Sequence, residues 1–299
     1  MRDSKKYIII LFLKLIRINQ WSKNILLFFP LIFSHQFANQ ENLFLNCIMF
    51  IAFSLCASAT YIVNDIIDLE VDKKHPYKKL RPLASNRIKL SQAIMILISL
   101  IILSLMILSF IKFNGIILII FYILSSFLYS KFLKKIIYID CIVLSFFYIY
   151  RIYIGSYILK IDLSLWLLSF SCMFFLSLAF LKRYGELYLH KNLSQLKNYR
   201  RQYNFNKDIN LIRLFGYLSG IMSCLILIFY SQSESSKLLY GNSNFIIFTG
   251  LILFTWLLRI WNKAKNENIN DPIEFVIRDI FTYFCFGLIA IILLFAKLY

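Results

Sequence analysis

Long apolar runs alternate with short polar stretches along the whole 299-residue chain. A helix needs about 20 apolar residues to cross a hydrocarbon core of about 30 Å. On that measure the pattern predicts nine spanning helices, near residues 25–39, 44–63, 91–111, 115–130, 136–158, 163–181, 211–230, 243–260 and 275–296. The first is short and contains Pro30. Residues 1–20 form a basic stretch, amphipathic from Met1 to Arg17 and without a small-residue cleavage site. It reads either as an interfacial helix leading into the first span or as a charged flank that fixes topology. The expected fold is all-α: a polytopic membrane protein, residues 1–299 forming one transmembrane domain with polar loops at 64–90 and 182–210.

Composition agrees with the pattern. The chain is 60% hydrophobic and 18% aromatic with a mean hydropathy of +0.70, well outside the range of soluble globular domains. Its net charge of +18 would fit nucleic acid, but the distribution argues against that partner. Of 33 lysines and arginines, 28 precede the first span or lie at the ends of and between spans 2–3, 4–5, 6–7 and 8–9. The opposite side has Lys112, Lys160, Lys237 and Lys297, while Arg151 lies within the fifth span. The positive-inside rule then puts the N-terminus in the cytoplasm and the C-terminus outside the cell (inner) membrane. The basic excess reports topology among membrane lipids, plus any anion bound on the cytoplasmic face. Six scattered cysteines read as small buried hydrophobes, and the three histidines are too dispersed for a metal cluster.

The candidate chemistry lies at the end of the second span, in "YIVNDIIDLEVDKKHPYKKLRPLA". If the helix continues to about Asp72, then Asn64, Asp68, Asp65 and Asp72 sit at about 0°, 40°, 100° and 80° around it. Carboxylates crowded there repel one another and resist desolvation, so a cation is expected among them. Without a local run of Cys or His, oxygen ligands with room for phosphates suit Mg²⁺. Lys73, Lys74, Lys78, Lys79, Arg81 and Arg87 follow, with His75-Pro76 and Arg81-Pro82 marking an ordered turn. Carboxylates for a metal beside cations for phosphate oxygens are what a metal-bound diphosphate requires.

"NDIIDLEVD" fits the N-D-x-x-D-x-x-x-D motif of the UbiA superfamily of intramembrane prenyltransferases, and "HPYKKLRPLAS" resembles its basic continuation. The resemblance implies a bundle of nine helices around a polar cavity, with Mg²⁺ bound between a pyrophosphate and the acidic helices. Aromatic prenyltransferases of that superfamily carry a second Asp-rich motif; here "YSKFLKKIIYIDCIVLSFFYIYRIYIG" offers Asp140 alone. "RINQWSKNILLFFPLIF", that same stretch, "LAFLKRYGEL" with "YRRQYN", and "DPIEFVIRD" instead resemble decaprenyl-phosphate phosphoribosyltransferases, in order from Arg17 to Asp279. They bring in Arg17, Gln20, Trp21, Lys23, Asn24, Tyr129, Ser130, Lys134, Lys182, Arg183, Glu186, Arg200 and Tyr203. Asn86 stands where a glycine is expected in the turn after "RPLAS", and Asn tolerates positive φ better than most residues.

That resemblance implies transfer of a 5-phosphoribosyl group from phosphoribosyl pyrophosphate to a polyprenyl phosphate on the cytoplasmic side, in cell envelope biosynthesis. Asp65, Asp68, Asp72 and Asp140 are the expected catalytic acids, with Asn64, Asp68 and Asp72 as metal ligands. Substrate contacts are expected from Lys23, Asn64, Lys78, Arg81, Lys134, Arg151, Lys182 and Arg183. Arg151, about ten residues into an apolar span, is expected to pair with a carboxylate or phosphate, because an unpaired guanidinium there costs several kcal/mol. Asp140 lies three turns away on the same face, which makes Arg151 its indirect partner. The alternatives are an aromatic prenyltransferase using a prenyl diphosphate and, more distantly, an ion-coupled transporter. Oligomeric state is not legible.

Overall fold

The apolar runs become helices in the computed structural model, which describes residues 2–75, 77–111, 114–190, 205–266, 275–276 and 278–298. In chain order these are α1 (Arg2–Leu15), a 3₁₀ run (Ile18–Phe28), α2 (Phe29–Phe33), α3 (Gln40–Ile67), α4 (Leu69–Lys74), α5 (Leu90–Ile111), α6 (Gly115–Lys131) and α7 (Ile139–Leu159). They continue with α8 (Leu165–His190), α9 (Phe205–Ser231), α10 (Glu234–Leu239), α11 (Ile246–Asn266) and α12 (Ile280–Leu298). Among the described residues eight helices are long and apolar enough to cross a membrane: α3, α5, α6, α7, α8, α9, α11 and α12.

The span expected at 25–39 is not among the eight. Proline lacks an N–H and is tolerated best in the first helical turn, and Pro30 accordingly lies in the first turn of the five-residue α2, which begins at Phe29 after the 3₁₀ run ends at Phe28. Counting apolar residues alone misses this break. The positive φ expected at Asn86 is present at 57°. His75 and Arg81, each preceding a proline in sequence, have extended ψ values of 135° and 145°, as the expected turn requires.

The described chain divides into two compact units: residues 1–134 with 151–162, and residues 135–150 with 163–299. In the first, α3 is central. Ala52, Ser54, Ala57, Ser58 and Ala59 are buried along it, and such small side chains let neighbouring backbones approach closely. On α5, Ala93, Leu100, Ser104 and Leu108 face inward at helical spacing, with Ser104 donating to the Ala52 carbonyl at 2.8 Å. The 3₁₀ run lies antiparallel to α3: Trp21 Nε1 donates to Ser58 Oγ (2.9 Å), Asn24 Nδ2 to Ser54 Oγ (2.9 Å), and Asn46 Nδ2 to the Leu27 carbonyl (3.2 Å). The C-terminal part of α7 packs on that run at Gly155, where an added Cβ would lie 2.1 Å from the Leu27 oxygen.

In the second unit Ser177 of α8 donates to the Gly216 carbonyl of α9 at 2.7 Å and accepts from Trp261 Nε1 at 3.2 Å. Trp256 of α11 reaches Thr282 of α12 at 2.9 Å. Asp279 caps α12 through the Thr282 N–H (2.9 Å) and takes Arg259 of α11 in a two-pronged pair at 2.5 and 2.8 Å. The Arg259 hydrogen bonds are the largest influence holding the Asp279 carboxyl well below the usual carboxylate range, helped by Thr282.

Gly155→Ala is expected to cost about 1–3 kcal/mol through overpacking against the Leu27 carbonyl, read as a lower unfolding temperature in detergent. Asp279→Asn is expected to cost about 1–2 kcal/mol through the lost charged pair and weakened cap. A depressed folded-state pKa means that this contribution is present above the unfolded aspartate value of 3.8 and lost as pH falls through the folded value. The difference between wild type and Asp279→Asn should therefore hold at pH 5 and above and shrink only in stronger acid, which unfolding across a pH series would measure.

Candidate functional site

The helix carrying the acids bends but does not end at Asp68. Its φ and ψ of −91° and 1° leave ideal helical values, yet Asp68 N–H still donates to Asn64 (2.9 Å) and Asp72 N–H to Asp68 (2.8 Å). The spacing read from sequence therefore survives, and the four polar side chains divide into two stripes. Asn64 and Asp68, one turn apart, share the Lys134 ammonium: Nζ lies 3.1 Å from Asn64 Oδ1 and 2.8 Å from both Asp68 oxygens. Asp65 and Asp72, two turns apart, share Arg81, whose Nη1 lies 3.0 Å from Asp65 Oδ1 and 2.5 Å from Asp72 Oδ2. Arg17 also pairs with Asp65 and lies over the Tyr61 ring, 5.2 Å from its centroid.

The expected cations among the carboxylates are thus supplied by the chain, from three regions far apart in sequence. Asp65 and Asp72 are buried, each side chain 4% exposed, while Asp68 is 16% exposed. Burial pushes the Asp72 carboxyl above its ordinary range; Arg81 and then Lys78 pull it back, and the charges of Asp65 and Asp68 add to the rise. Arg17 was legible only as part of a motif, because its backbone φ of 51° and its reach to Asp65 have no local sequence signal.

The remaining expected site residues fall in different surroundings. Lys78 is exposed, and Lys23 is buried on the 3₁₀ run. Arg151 is buried in the first unit, donating Nε to Asn24 Oδ1 (2.9 Å) and Nη2 to Tyr122 Oη (3.3 Å), with its guanidinium over the rings of Phe53 and Tyr122 at 5.4 and 5.7 Å. An amide oxygen, a phenol and two aromatic faces are thus among the groups that meet this charge. Asn24 was visible in the motif without a role.

In the second unit Asp140, fully buried at the start of α7, pairs with Arg183. Arg183 also donates to Glu186 Oε2 at 2.5 Å, closing a triad in which Glu186 is half-buried, and Lys182 beside it is half-buried. Arg200 and Tyr203 lie outside the described residues, as do Pro76 and most of "DPIEFVIRD".

For a hard divalent ion, the relevant geometry is the convergence of Asn64 and Asp68 oxygens on one point cation. An ion that keeps waters and substrate phosphates needs only one or two protein carboxylates, so this donor set fits Mg²⁺. Asp72, expected as a third ligand, is drawn to Asp65 through Arg81. Consistent with that pairing, no group of three or more His, Cys, Asp or Glu among the described residues is arranged to hold a metal.

Comparisons with known proteins give the chain a family and a fold. The model of the UbiA prenyltransferase family matches residues 27–284. An uncharacterized protein, y4nM, of Sinorhizobium fredii is 30% identical over 281 residues, covering 92% of this chain and 54% of that protein. A decaprenyl-phosphate phosphoribosyltransferase of Corynebacterium glutamicum is 34% identical over 184 residues, 60% of this chain and 55% of that one. The chain thus spans about half the length of these curated relatives. A solved UbiA homolog from Archaeoglobus fulgidus, bound to GPP and Mg²⁺, superposes with a TM-score of 0.63 over 94% of this chain and 99% of that one, at 15% identity.

Arg81→Gln would leave Asp65 with Arg17 and take from the buried Asp72 its ion-pair partner, and is expected to cost about 3 kcal/mol. Adding Asp72→Asn should recover part of that loss. A double-mutant cycle on unfolding in detergent checks the coupling.

Proposed function

The chain belongs to the UbiA prenyltransferase family, and on that premise we propose that it is a Mg²⁺-dependent membrane transferase moving a 5-phosphoribosyl group from phosphoribosyl pyrophosphate to a polyprenyl phosphate. The observation that carries the reading is one helix end where oxygen donors and phosphate-binding cations lie within hydrogen-bond reach: Asn64 and Asp68 at Lys134, Asp65 and Asp72 at Arg81. The choice of sugar donor rests on the named phosphoribosyltransferase relative. We read residues 1–299 as one catalytic domain in the cell membrane, its N-terminus and acidic site facing the cytoplasm on the side carrying most of the Lys and Arg.

In this reading an oxygen of the lipid phosphate attacks the anomeric carbon of the ribose while the carbon–oxygen bond to pyrophosphate breaks, its electron pair leaving with pyrophosphate. Asn64 and Asp68, with Asp72 nearby, would hold Mg²⁺, which when bound would neutralise charge on the departing diphosphate. Arg81 and the exposed Lys78 orient donor phosphate oxygens, and Lys134 contributes a mobile point charge. Lys23 and Arg151 line the deeper part of the same unit as candidates for the lipid phosphate, and Lys182 is the second unit's candidate for phosphate binding. Arg183, closed into its triad with Asp140 and Glu186, acts by positioning. The acceptor is already an anion, so no strong general base is needed.

The Archaeoglobus homolog, bound to GPP, favours a second reading in which a prenyl diphosphate is the electrophile and an aromatic ring the acceptor. Pyrophosphate release by purified protein with Mg²⁺ separates the two. Undecaprenyl phosphate with phosphoribosyl pyrophosphate should support turnover, whereas geranylgeranyl diphosphate with aromatic acceptors should not; the reverse outcome would replace the substrate assignment. Asp68→Asn is expected to lose roughly 100-fold or more in rate while keeping its unfolding temperature, by analogy with removal of one transition-state electrostatic contact. Ion flux in proteoliposomes without any turnover would favour a transporter instead.

A further inference from the structure

The two stripes of the acidic helix end are neutralised by different kinds of cation. Asp65 and Asp72 are buried and held by Arg81, with Arg17 on Asp65 as well. Arginine is always charged, and a single nitrogen, Arg81 Nη1, bridges both buried carboxylates, so this clasp is fixed. Asn64 and Asp68 converge instead on Lys134, a compact ammonium on a flexible stem. Asp68 is also the most exposed of the three carboxylates. One ammonium facing an amide oxygen and both oxygens of a carboxylate mimics a small cation in an oxygen cage.

We propose that Lys134 is an exchangeable internal cation. It holds Asn64 and Asp68 in their ligating arrangement, yields those oxygens to a divalent ion, and turns its ammonium to the phosphates that arrive with that ion. This rests on the proposed diphosphate site and deepens it: Lys134 is a positioning residue that couples the two ligands. In the substrate-free protein Lys134 competes with the metal for the same oxygens, so metal affinity is low. A diphosphate gives the displaced ammonium a new partner, so metal and diphosphate each tighten the other's binding. Arg81 cannot play this part, because moving it would strand the buried Asp72 and leave Asp65 to Arg17.

The test uses Mn²⁺ as the probe and inorganic pyrophosphate as the second ligand, with protein-retained Mn²⁺ read by equilibrium dialysis of the full chain in detergent. Wild type should bind Mn²⁺ weakly alone and at least about 10-fold more tightly with saturating pyrophosphate, within the usual range of coupling between sites. Lys134→Gln should bind Mn²⁺ about 10-fold more tightly than wild type without pyrophosphate, and its gain from pyrophosphate should fall below about 3-fold. Lys131→Gln, three residues away at an exposed position, removes the same charge and should leave both values unchanged. Unchanged or weaker Mn²⁺ binding by Lys134→Gln overturns the proposal, as does an equal gain from Lys131→Gln. If Lys134→Gln does not fold, Lys134→Met carries the same test. Folding of either variant only with Mn²⁺ supports exchange, whereas failure of both under all conditions makes Lys134 a structural tie. Exchange without pyrophosphate release from phosphoribosyl pyrophosphate would keep this inference and discard the substrate. Turnover without exchange would do the opposite.

Discussion

Three carboxylates at the end of one apolar helix cannot remain buried without cations, and the first unit is organised around that requirement. Arg17 comes from the segment after α1, Arg81 from the turn after α4 and Lys134 from the turn after α6, and all three meet residues 64–72. Burying an ion costs several kcal/mol unless it is paired, so each ion pair also fixes where a distant stretch of chain must lie. The proposed phosphate-binding apparatus and the ties that close the helix end are therefore largely the same atoms. A substitution that changes one of them changes both the chemistry and the packing, which makes stability an essential companion measurement to activity.

Much of this was legible because two of its causes are local. Bilayer thickness sets the length of apolar runs, and α3, α5 and the later spans follow from it. Helical periodicity placed Asn64, Asp65, Asp68 and Asp72 together within about 100° of arc, and the structure divides them between Lys134 and Arg81. The apolar run at 25–39 misled because hydropathy ignores the missing N–H of Pro30. Nor could the sequence distinguish the two faces of α5. Ala93, Leu100 and Leu108 point inward while Met95, Ile98 and Ile102 are exposed, and lipid tails are as apolar as a protein interior.

Partners across the fold were the illegible part. Arg151 announced itself as a charge inside a span, but its solution is Asn24, Tyr122 and two aromatic faces, assembled from three other elements. Asp140 likewise announced itself as a lone acid, and its partner lies 43 residues away at Arg183. Spacing along one helix suggested that these two residues answered each other. Arg151 has partners in the first unit and Asp140 in the second, because a buried charge is satisfied by whichever group tertiary packing brings within hydrogen-bond reach.

The choice between arginine and lysine carries the remaining distinction. Replacing a buried ion pair by well-packed apolar residues is often neutral or stabilising, so stability alone does not explain why such pairs are present. Arginine clasps Asp65 with Asp72, Asp140 with Glu186, and Asp279. Arg259 forks onto both Asp279 oxygens, Arg81 bridges two carboxylates through Nη1, and Arg183 divides Nε and Nη1 between two, so moving any of these guanidinium groups breaks two contacts at once. At Asp68 the cation is lysine, whose single ammonium can leave one set of oxygens for another by rotation of its stem. If every pair served only to tie helices together, an arginine would hold Asp68 more firmly. A lysine at the most exposed carboxylate of the motif provides charge balance that can be transferred, which a site receiving both a metal and a diphosphate requires.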